Sequence, residues 1–267
     1  MNYQPDKLFR STAPYYARFR PGYPPEFFAH LRDRFGLDGT QRALDLGAGT
    51  GQLAIPLAAH VDQVIAVDPE PSMLEEGRKL AAERGVANID WRLGDSYQLA
   101  DMGLGHLYLV TMGASFHWMD RREVLRVLDR LVETDGGVVV ASGGASGASS
   151  PAPWEDAITQ VRTKWLGPER RAGSGTYTHP KQRHEEVLRE SPFGQVEIVS
   201  WTWELERDLD AIVGLQFSYS YSAPALLGDH QDAFEADLRQ ALRAANPSGR
   251  FTQVIRTEAI IGTRPGQ

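Results

Sequence analysis

Apolar positions along this chain fall into short, branched runs that alternate with longer stretches of helical spacing. The runs predict strands near 42–46, 63–67, 89–92, 107–111, 136–141, 195–203 and 251–262. Between them, apolar residues recurring every three or four positions predict helices near 51–59, 71–84, 120–132, 154–166, 180–189, 208–218 and 231–245. Strands with branched cores that alternate with helices imply an α/β fold, a mostly parallel sheet covered on both faces. The last two strands fit an antiparallel edge.

Outside this alternation the pattern changes twice. Residues 7–36 read as a helical arm, with Glu26-Phe27-Phe28-Ala29-His30-Leu31 at helical spacing after the tyrosine- and proline-rich stretch Tyr15–Pro25. Ser142-Gly143-Gly144-Ala145-Ser146-Gly147-Ala148-Ser149-Ser150-Pro151 has the composition of a flexible linker. The expected organisation is an arm over 1–36, a ligand-binding core over 37–145, a linker and lid insertion over 146–192, and a C-terminal part of the core sheet over 193–267.

Candidate chemistry concentrates at Ala43-Leu44-Asp45-Leu46-Gly47-Ala48-Gly49-Thr50-Gly51-Gln52, a buried strand that breaks into a glycine-dense turn and enters a helix. Glycines there let backbone approach a ligand. The spacing is G-x-G-x-G rather than the dinucleotide pattern G-x-G-x-x-G, and Asp45 sits two places before the first glycine. A carboxylate at that point suits a cationic ligand better than a pyrophosphate, which argues against a nicotinamide oxidoreductase. Val64-Ile65-Ala66-Val67-Asp68 ends in an acid roughly 20 residues after the turn, where ribose hydroxyls are gripped in such sheets. Trp91-Arg92-Leu93-Gly94-Asp95-Ser96 is a third strand-like stretch closing on an acid.

With these three motifs in order, the chain resembles the class I S-adenosylmethionine-dependent methyltransferases, whose Rossmann-like sheet carries helices on both faces. The resemblance implies S-adenosylmethionine as cofactor. Gly47 and Gly49 would bring backbone against its methionine and ribose portions, and Asp45 would lie near the ammonium, with Gln52 facing the same site. Asp68 would accept from the ribose hydroxyls, Pro69 and Met73 would flank adenine, and Asp95 would accept from the adenine amino group beside Ser96. Upstream, Tyr15-Tyr16-Ala17-Arg18-Phe19-Arg20-Pro21-Gly22-Tyr23-Pro24 resembles an element of a small-molecule branch that includes trans-aconitate methyltransferase-like enzymes. There Tyr16 and Arg20 would reach the methionine carboxylate, for which a guanidinium fork is well shaped. Met112-Gly113-Ala114-Ser115-Phe116-His117-Trp118-Met119-Asp120 resembles the segment between cofactor and acceptor, with Met112 backbone near the ammonium. His117 is the general-base candidate, because an imidazole titrates near working pH; packing the next helix on the sheet is its alternative role.

Composition narrows the partners. The formal net charge is −7, and short basic clusters such as Lys181-Gln182-Arg183-His184 sit beside Glu185 and Glu186, so nucleic acid is disfavoured as substrate. The absence of cysteine excludes disulfides and thiolate chemistry. His179 and His184 do not form a metal-ligand pattern. No signal-like N-terminus or membrane-length apolar run stands out, which makes a cytoplasmic location the expectation. The expected acceptor is a small molecule, methylated on oxygen, nitrogen or carbon, with a hydroxyl or carboxylate favoured. Aromatic residues of the insertion and beyond, Trp154, Trp165, Tyr177, Trp201, Trp203, Phe217, Tyr219 and Tyr221, are candidates for its pocket or for ordinary core. A catalytically silent S-adenosylmethionine-binding module and an RNA methyltransferase are the competing readings.

Overall fold

The structure, a computed structural model, describes residues 11–142, 152–169, 171–172, 175–176 and 181–266. Its chain divides into two compact units. The core unit comprises Gly22–Gly143, His179–Trp201 and Thr257–Gln267; the second comprises Met1–Pro21, Gly144–Thr178 and Thr202–Arg256.

The elements follow the expected alternation. In chain order they are α1 (Ala13–Phe19), α2 (Pro25–Phe35), β1 (Arg42–Leu46), α3 (Ala54–Leu57), β2 (Gln63–Asp68), α4 (Pro71–Glu83), β3 (Ile89–Leu93), β4 (Leu107–Gly113), α5 (Arg121–Leu131) and β5 (Val132–Ser142). There follow α6 (Pro153–Leu166), the two-residue strands β6 (Arg171–Ala172) and β7 (Gly175–Thr176), α7 (His184–Arg189), β8 (Gln195–Asp208), α8 (Leu209–Phe217), α9 (Pro224–Leu227), α10 (Gln231–Ala245) and β9 (Arg250–Thr263). Strand order in the main sheet is β3-β2-β1-β4-β5-β9-β8. β1 to β5 pair in parallel, and β9 lies antiparallel to β5, from Gly137 opposite Thr263 to Ser142 opposite Glu258. The order reverses between β1 and β4. In an open parallel sheet this is where the connections leave in opposite directions and open a crevice at the carboxyl ends of the strands.

Residue parity decides which helices cover which face. Leu44, Leu46, Ile65, Val67, Val110, Met112, Val138, Val140 and Ile260 share one cluster with Val124, Leu125 and Leu128 of α5 and Val187 and Leu188 of α7. Their neighbours Ala43, Val64, Ala66, Leu109, Val139, Ala141, Ala259 and Ile261 face the other way, onto Phe27, Phe28, Leu31 and Phe35 of α2 and Leu53, Ala54 and Leu57 around α3. This is the two-residue repeat of a strand buried on both sides. In the second unit α10 places Phe234, Leu238 and Leu242 on one stripe, and they cluster with Trp154, Val161, Ile212, Val213, Phe217 and Phe251.

Three expectations shift. The span read as one arm holds two helices, with the boundary between units at Pro21–Gly22, so α2 belongs to the core. The helix expected over 51–59 is only Ala54–Leu57, because Gly49 and Gly51 hold positive φ (55° and 87°) that a helix cannot continue through. β8 runs longer than its apolar run suggests, to Asp208, and its end from Thr202, with β9 up to Arg256, belongs to the second unit. Residues 143–151 of the linker, together with Tyr177 and His179, lie outside the described residues.

Phe27 is fully buried, with ring centroids of Tyr23, Phe28 and Trp201 at 5.0, 5.1 and 5.6 Å. Truncation there leaves a cavity between α2 and the sheet. Phe27→Ala is expected to cost about 3–5 kcal/mol in urea unfolding. A loss under about 1 kcal/mol would mean that α2 does not anchor the core.

Candidate cofactor and catalytic site

The carboxyl ends of five strands are tied to one another by hydrogen bonds just beyond their last ladder pairs. Gly47 and Ala48, leaving β1, both donate to the carbonyl of Val67 on β2, at 2.8 and 2.9 Å. Gly94, leaving β3, donates to Asp68 O at 3.2 Å, and Ala114, leaving β4, donates to Ala141 O on β5 at 2.8 Å. Ser115 Oγ donates to Leu46 O at 2.7 Å and spans the switch point between β4 and β1. The result is a continuous rim whose backbone is fixed before any ligand arrives.

The glycine turn is built into this rim. Gly47 has φ +77°, and a Cβ there would stand 2.4 Å from Ser115 Cβ, so a side chain is excluded both by conformation and by space. Burial alternates through the turn: Gly47, Gly49 and Gln52 stay partly open, while Ala48, Thr50, Gly51 and Leu53 are buried. The open positions are those expected to meet a ligand. Thr50 Oγ1 donates to Gln52 Oε1 at 3.0 Å, which steadies the Gln52 side chain at the head of α3.

Two carboxylates set the electrostatics. Asp68 ends β2; its Oδ2 accepts from Gly49 N–H at 2.8 Å and its Oδ1 from Glu70 N–H at 2.9 Å. Asp45, 1% exposed, accepts from Thr111 Oγ1 at 2.9 Å and from Ala54 N–H at 3.1 Å, joining β1 to β4 and to the start of α3. Burial pushes Asp45 up to about 7 and Asp68 up to about 6, against the hydrogen bonds that favour the charged form. Each carboxylate oxygen keeps a second lone pair for a donor from outside. No Lys or Arg occurs between residues 43 and 77. These acceptors therefore suit a ligand that offers hydroxyls and positive charge, and are poorly matched to a polyphosphate.

The other expected residues distribute around this centre. Pro69 follows Asp68 and is partly open, whereas Met73 on α4 is 2% exposed and Met112 at the end of β4 is fully buried. Asp95 forms the turn after β3, its Oδ1 accepting from Tyr97 N–H at 2.8 Å and Gln98 N–H at 3.3 Å, with Ser96 partly open beside it. His117 lies in a single 3-10 turn, Phe116–Trp118, with the Trp118 ring 4.6 Å away and the His184 ring 6.4 Å away at 24°. All of these belong to the core unit. Tyr16 and Arg20 belong to the second unit, where the Arg20 guanidinium stands 4.9 Å above the Tyr16 ring and 4.1 Å above Tyr219.

Several residues of the rim carry no motif. Thr111 and Ser115 read as ordinary strand-end polar residues, and only the sheet register brings them to Asp45 and Leu46. Ala114 adopts φ +50°, a conformation that a non-glycine residue seldom takes and that marks the tip of β4 as strained. His184 is half-buried, and Arg121 Nη1 lies 3.1 Å from its Nδ1. Burial and then the Arg121 charge push His184 down to about 4, so it stays neutral with its proton on Nε2. Among the described residues no group of three His, Cys, Asp or Glu side chains forms a metal site, and no helix is long and apolar enough to cross a membrane.

Asp45 gives the site a pH signature. Between the unfolded-chain value of 3.8 and about 7 the folded protein retains a proton that the unfolded chain has released. Stability therefore falls as pH rises through that window and levels off above it. Urea unfolding at pH 5 and pH 7.5 is expected to differ by on the order of 2 kcal/mol, and Asp45→Asn, which keeps an acceptor for Ala54 N–H, should remove most of the difference. An unchanged slope in the variant would show that Asp45 is ionised throughout.

Residues 43–136 match the family described as a methyltransferase domain. An uncharacterized methyltransferase of Schizosaccharomyces pombe is 28% identical over 164 residues, covering 60% of this chain and 61% of that protein. The chain spans about half to three fifths of the length of the curated relatives it matches. Among solved structures, a proposed type II methyltransferase from Anaeromyxobacter dehalogenans superposes with TM-score 0.59 at 18% identity, over 92% of this chain and 98% of that one. An S-adenosylmethionine-dependent methyltransferase from Thiobacillus denitrificans, solved with S-adenosyl-L-homocysteine, superposes with TM-score 0.51 at 12% identity, over 96% and 98%. At such identities the structures establish a shared fold, and the family match covers the rim from β1 to the turn after β4, ending before Ala141 of β5. Over residues 43–136 the chain is thus similar to methyltransferase domains, and such a domain implies S-adenosylmethionine as its cofactor.

Proposed function

We propose that the protein transfers a methyl group to a small molecule, at a hydroxyl or carboxylate oxygen. The observation that carries this reading is the hydrogen-bonded rim at the switch point, with Asp68 held against the glycine turn and no Lys or Arg in the sequence from 43 to 77. When bound, the sulfonium nucleoside supplies an electrophilic methyl group for in-line displacement, and the protein's task is then alignment. Asp68 accepts from the ribose hydroxyls and Asp95 from the adenine amino group. Pro69 covers one face of adenine with Met73 packed as support. Gly47, Gly49 and Gln52 line the ribose and methionine portions. Asp45 and the Met112 carbonyl face the ammonium. His117 takes the proton of a hydroxyl acceptor; a carboxylate acceptor needs no base. The net charge of −7 supports a small molecule over nucleic acid as partner.

Calorimetry with S-adenosyl-L-homocysteine tests the cofactor assignment. Asp68→Ala is expected to weaken binding at least about tenfold, because it removes a charge-assisted partner of two hydroxyls. No heat of binding from the wild-type protein at millimolar ligand would remove the reading altogether. With a hydroxyl acceptor in hand, His117→Ala should lower turnover about a hundredfold while leaving nucleoside affinity unchanged. Unchanged turnover would retire His117 as the base.

A further inference from the structure

His117 stands on a single 3-10 turn, and α7 brings a second imidazole against that turn. The His184 ring lies 5.2 Å from the ring of Phe116, which is 1% exposed, and 6.4 Å from His117 with 24° between the planes. Arg121, the first residue of α5, reaches across to the start of α7. Its Nη1 donates there to Gln182 O at 2.9 Å and to His184 Nδ1 at 3.1 Å. A guanidinium only donates, so His184 Nδ1 carries no proton and Nε2 does. Phe116, His117, Arg121 and His184 all belong to the core unit.

As a fastener between α5 and α7, Arg121 is redundant. Arg122 already joins them, its Nη2 donating to Gln182 Oε1 at 3.1 Å and to Glu190 Oε2 at 2.5 Å. Arg121 is half-buried, makes no ion pair among the described residues, and is pulled down by burial and then by the Arg122 charge. Such a cation is costly to keep, and its two acceptors, a carbonyl and a neutral imidazole, do not cancel its charge. What it supplies is a positive field on His184. The charged and titratable groups facing that imidazole are Arg121 from α5, His117 from the 3-10 turn and Glu185 from α7, the last paired with Arg183 Nε at 2.5 Å. Burial and Arg121 together outweigh Glu185, so His184 stays uncharged. Two close imidazoles share their protons, because a charge on one disfavours a charge on the other.

We propose that Arg121 and His184 are positioning residues for the base: Arg121 locks His184 in one neutral tautomer, and that ring packs beside His117 without competing for the proton that His117 takes. In the sequence His184 stands out only within a short basic cluster, whereas the fold makes it a partner of His117. The inference deepens the proposed function and rests on it, since His117 is the base only in that reading.

The test reads the imidazole nitrogens of the full chain by NMR from about pH 4 to about pH 8. His117→Gln and His184→Phe assign the signals, and thermal melting confirms that each variant folds. In the wild type His184 is expected to stay neutral with its proton on Nε2 down to about pH 5. Arg121→Gln removes the charge, so the His184 midpoint should rise by at least about one unit and its tautomers should mix. Arg121→Lys keeps the charge and should keep His184 neutral. A wild-type His184 that titrates above about pH 6, or one that Arg121→Gln leaves unmoved, would overturn the lock. A second arm follows methyl transfer to a hydroxyl acceptor as a function of pH. The acid limb of the wild-type profile should report one ionisation, and that of Arg121→Gln two coupled steps. Adding His184→Phe to Arg121→Gln fills the place of the ring with one that takes no proton, and should return the limb to one step. A mere clamp would not change the number of steps, so a single step in Arg121→Gln also overturns the proposal. If His117→Ala leaves turnover unchanged, the base reading fails instead, and the NMR arm still decides whether Arg121 sets the state of His184.

Discussion

The bond between Gly49 N–H and the Asp68 carboxylate is the interaction on which the arrangement of the core depends. It fixes the middle of the glycine turn to the tip of the neighbouring strand, while Gly47 and Ala48 fix its beginning to Val67 O. A turn this rich in glycine loses more backbone freedom on ordering than any other segment of its length. The three hydrogen bonds offset that loss with partners already held by the sheet ladder. The same carboxylate is the one proposed to meet the ribose, so the residue that orders the loop is also the residue that reads the ligand. Preorganisation of this kind lowers what binding must contribute to ordering.

Asp45 serves the rim from below. Its charge is costly at 1% exposure, which pushes the group up to about 7, and the hydrogen bonds from Thr111 and Ala54 offset only part of that cost. A ligand ammonium near this carboxylate would favour its ionised form, so occupancy of the site and the protonation of Asp45 are linked. The strained Ala114 belongs to the same economy of the rim. Its positive φ lets β4 turn so that Ser115 reaches back to Leu46 O across the switch point.

Much of the core was legible in the sequence because strand periodicity and glycine spacing are local signals. Val64–Val67 announces β2, Asp68 its tip, and Gly47-x-Gly49-x-Gly51 the turn that must follow β1. What pairing alone creates was not legible. Thr111 meets Asp45 only because β4 lies beside β1 in parallel register, and nothing within β4 distinguishes Thr111 from other strand threonines. The short α3 could not be separated from a longer helix by apolar spacing, since Leu53, Ile55 and Leu57 fit either. Arg207, whose Nε donates to Gln253 Oε1 at 2.7 Å, did leave a trace with its partner, as polar residues in register with buried neighbours. For Arg207 that trace acquires meaning only once β8 is known to extend to Asp208. The roles of Met73 and Asp95 rest on the family likeness, for both have full local occupations, one packed in the core and one closing a turn.

The indole of Trp91 fills a slot that two glycines leave open. A Cβ at Gly51 would stand 2.7 Å from its ring, and one at Gly77 of α4 would stand 2.5 Å away. The side chain of β3 is therefore wedged between the glycine turn and the helix behind it. Any displacement of the turn changes what surrounds the indole, so the packing of β3 and the shape of the loop move together.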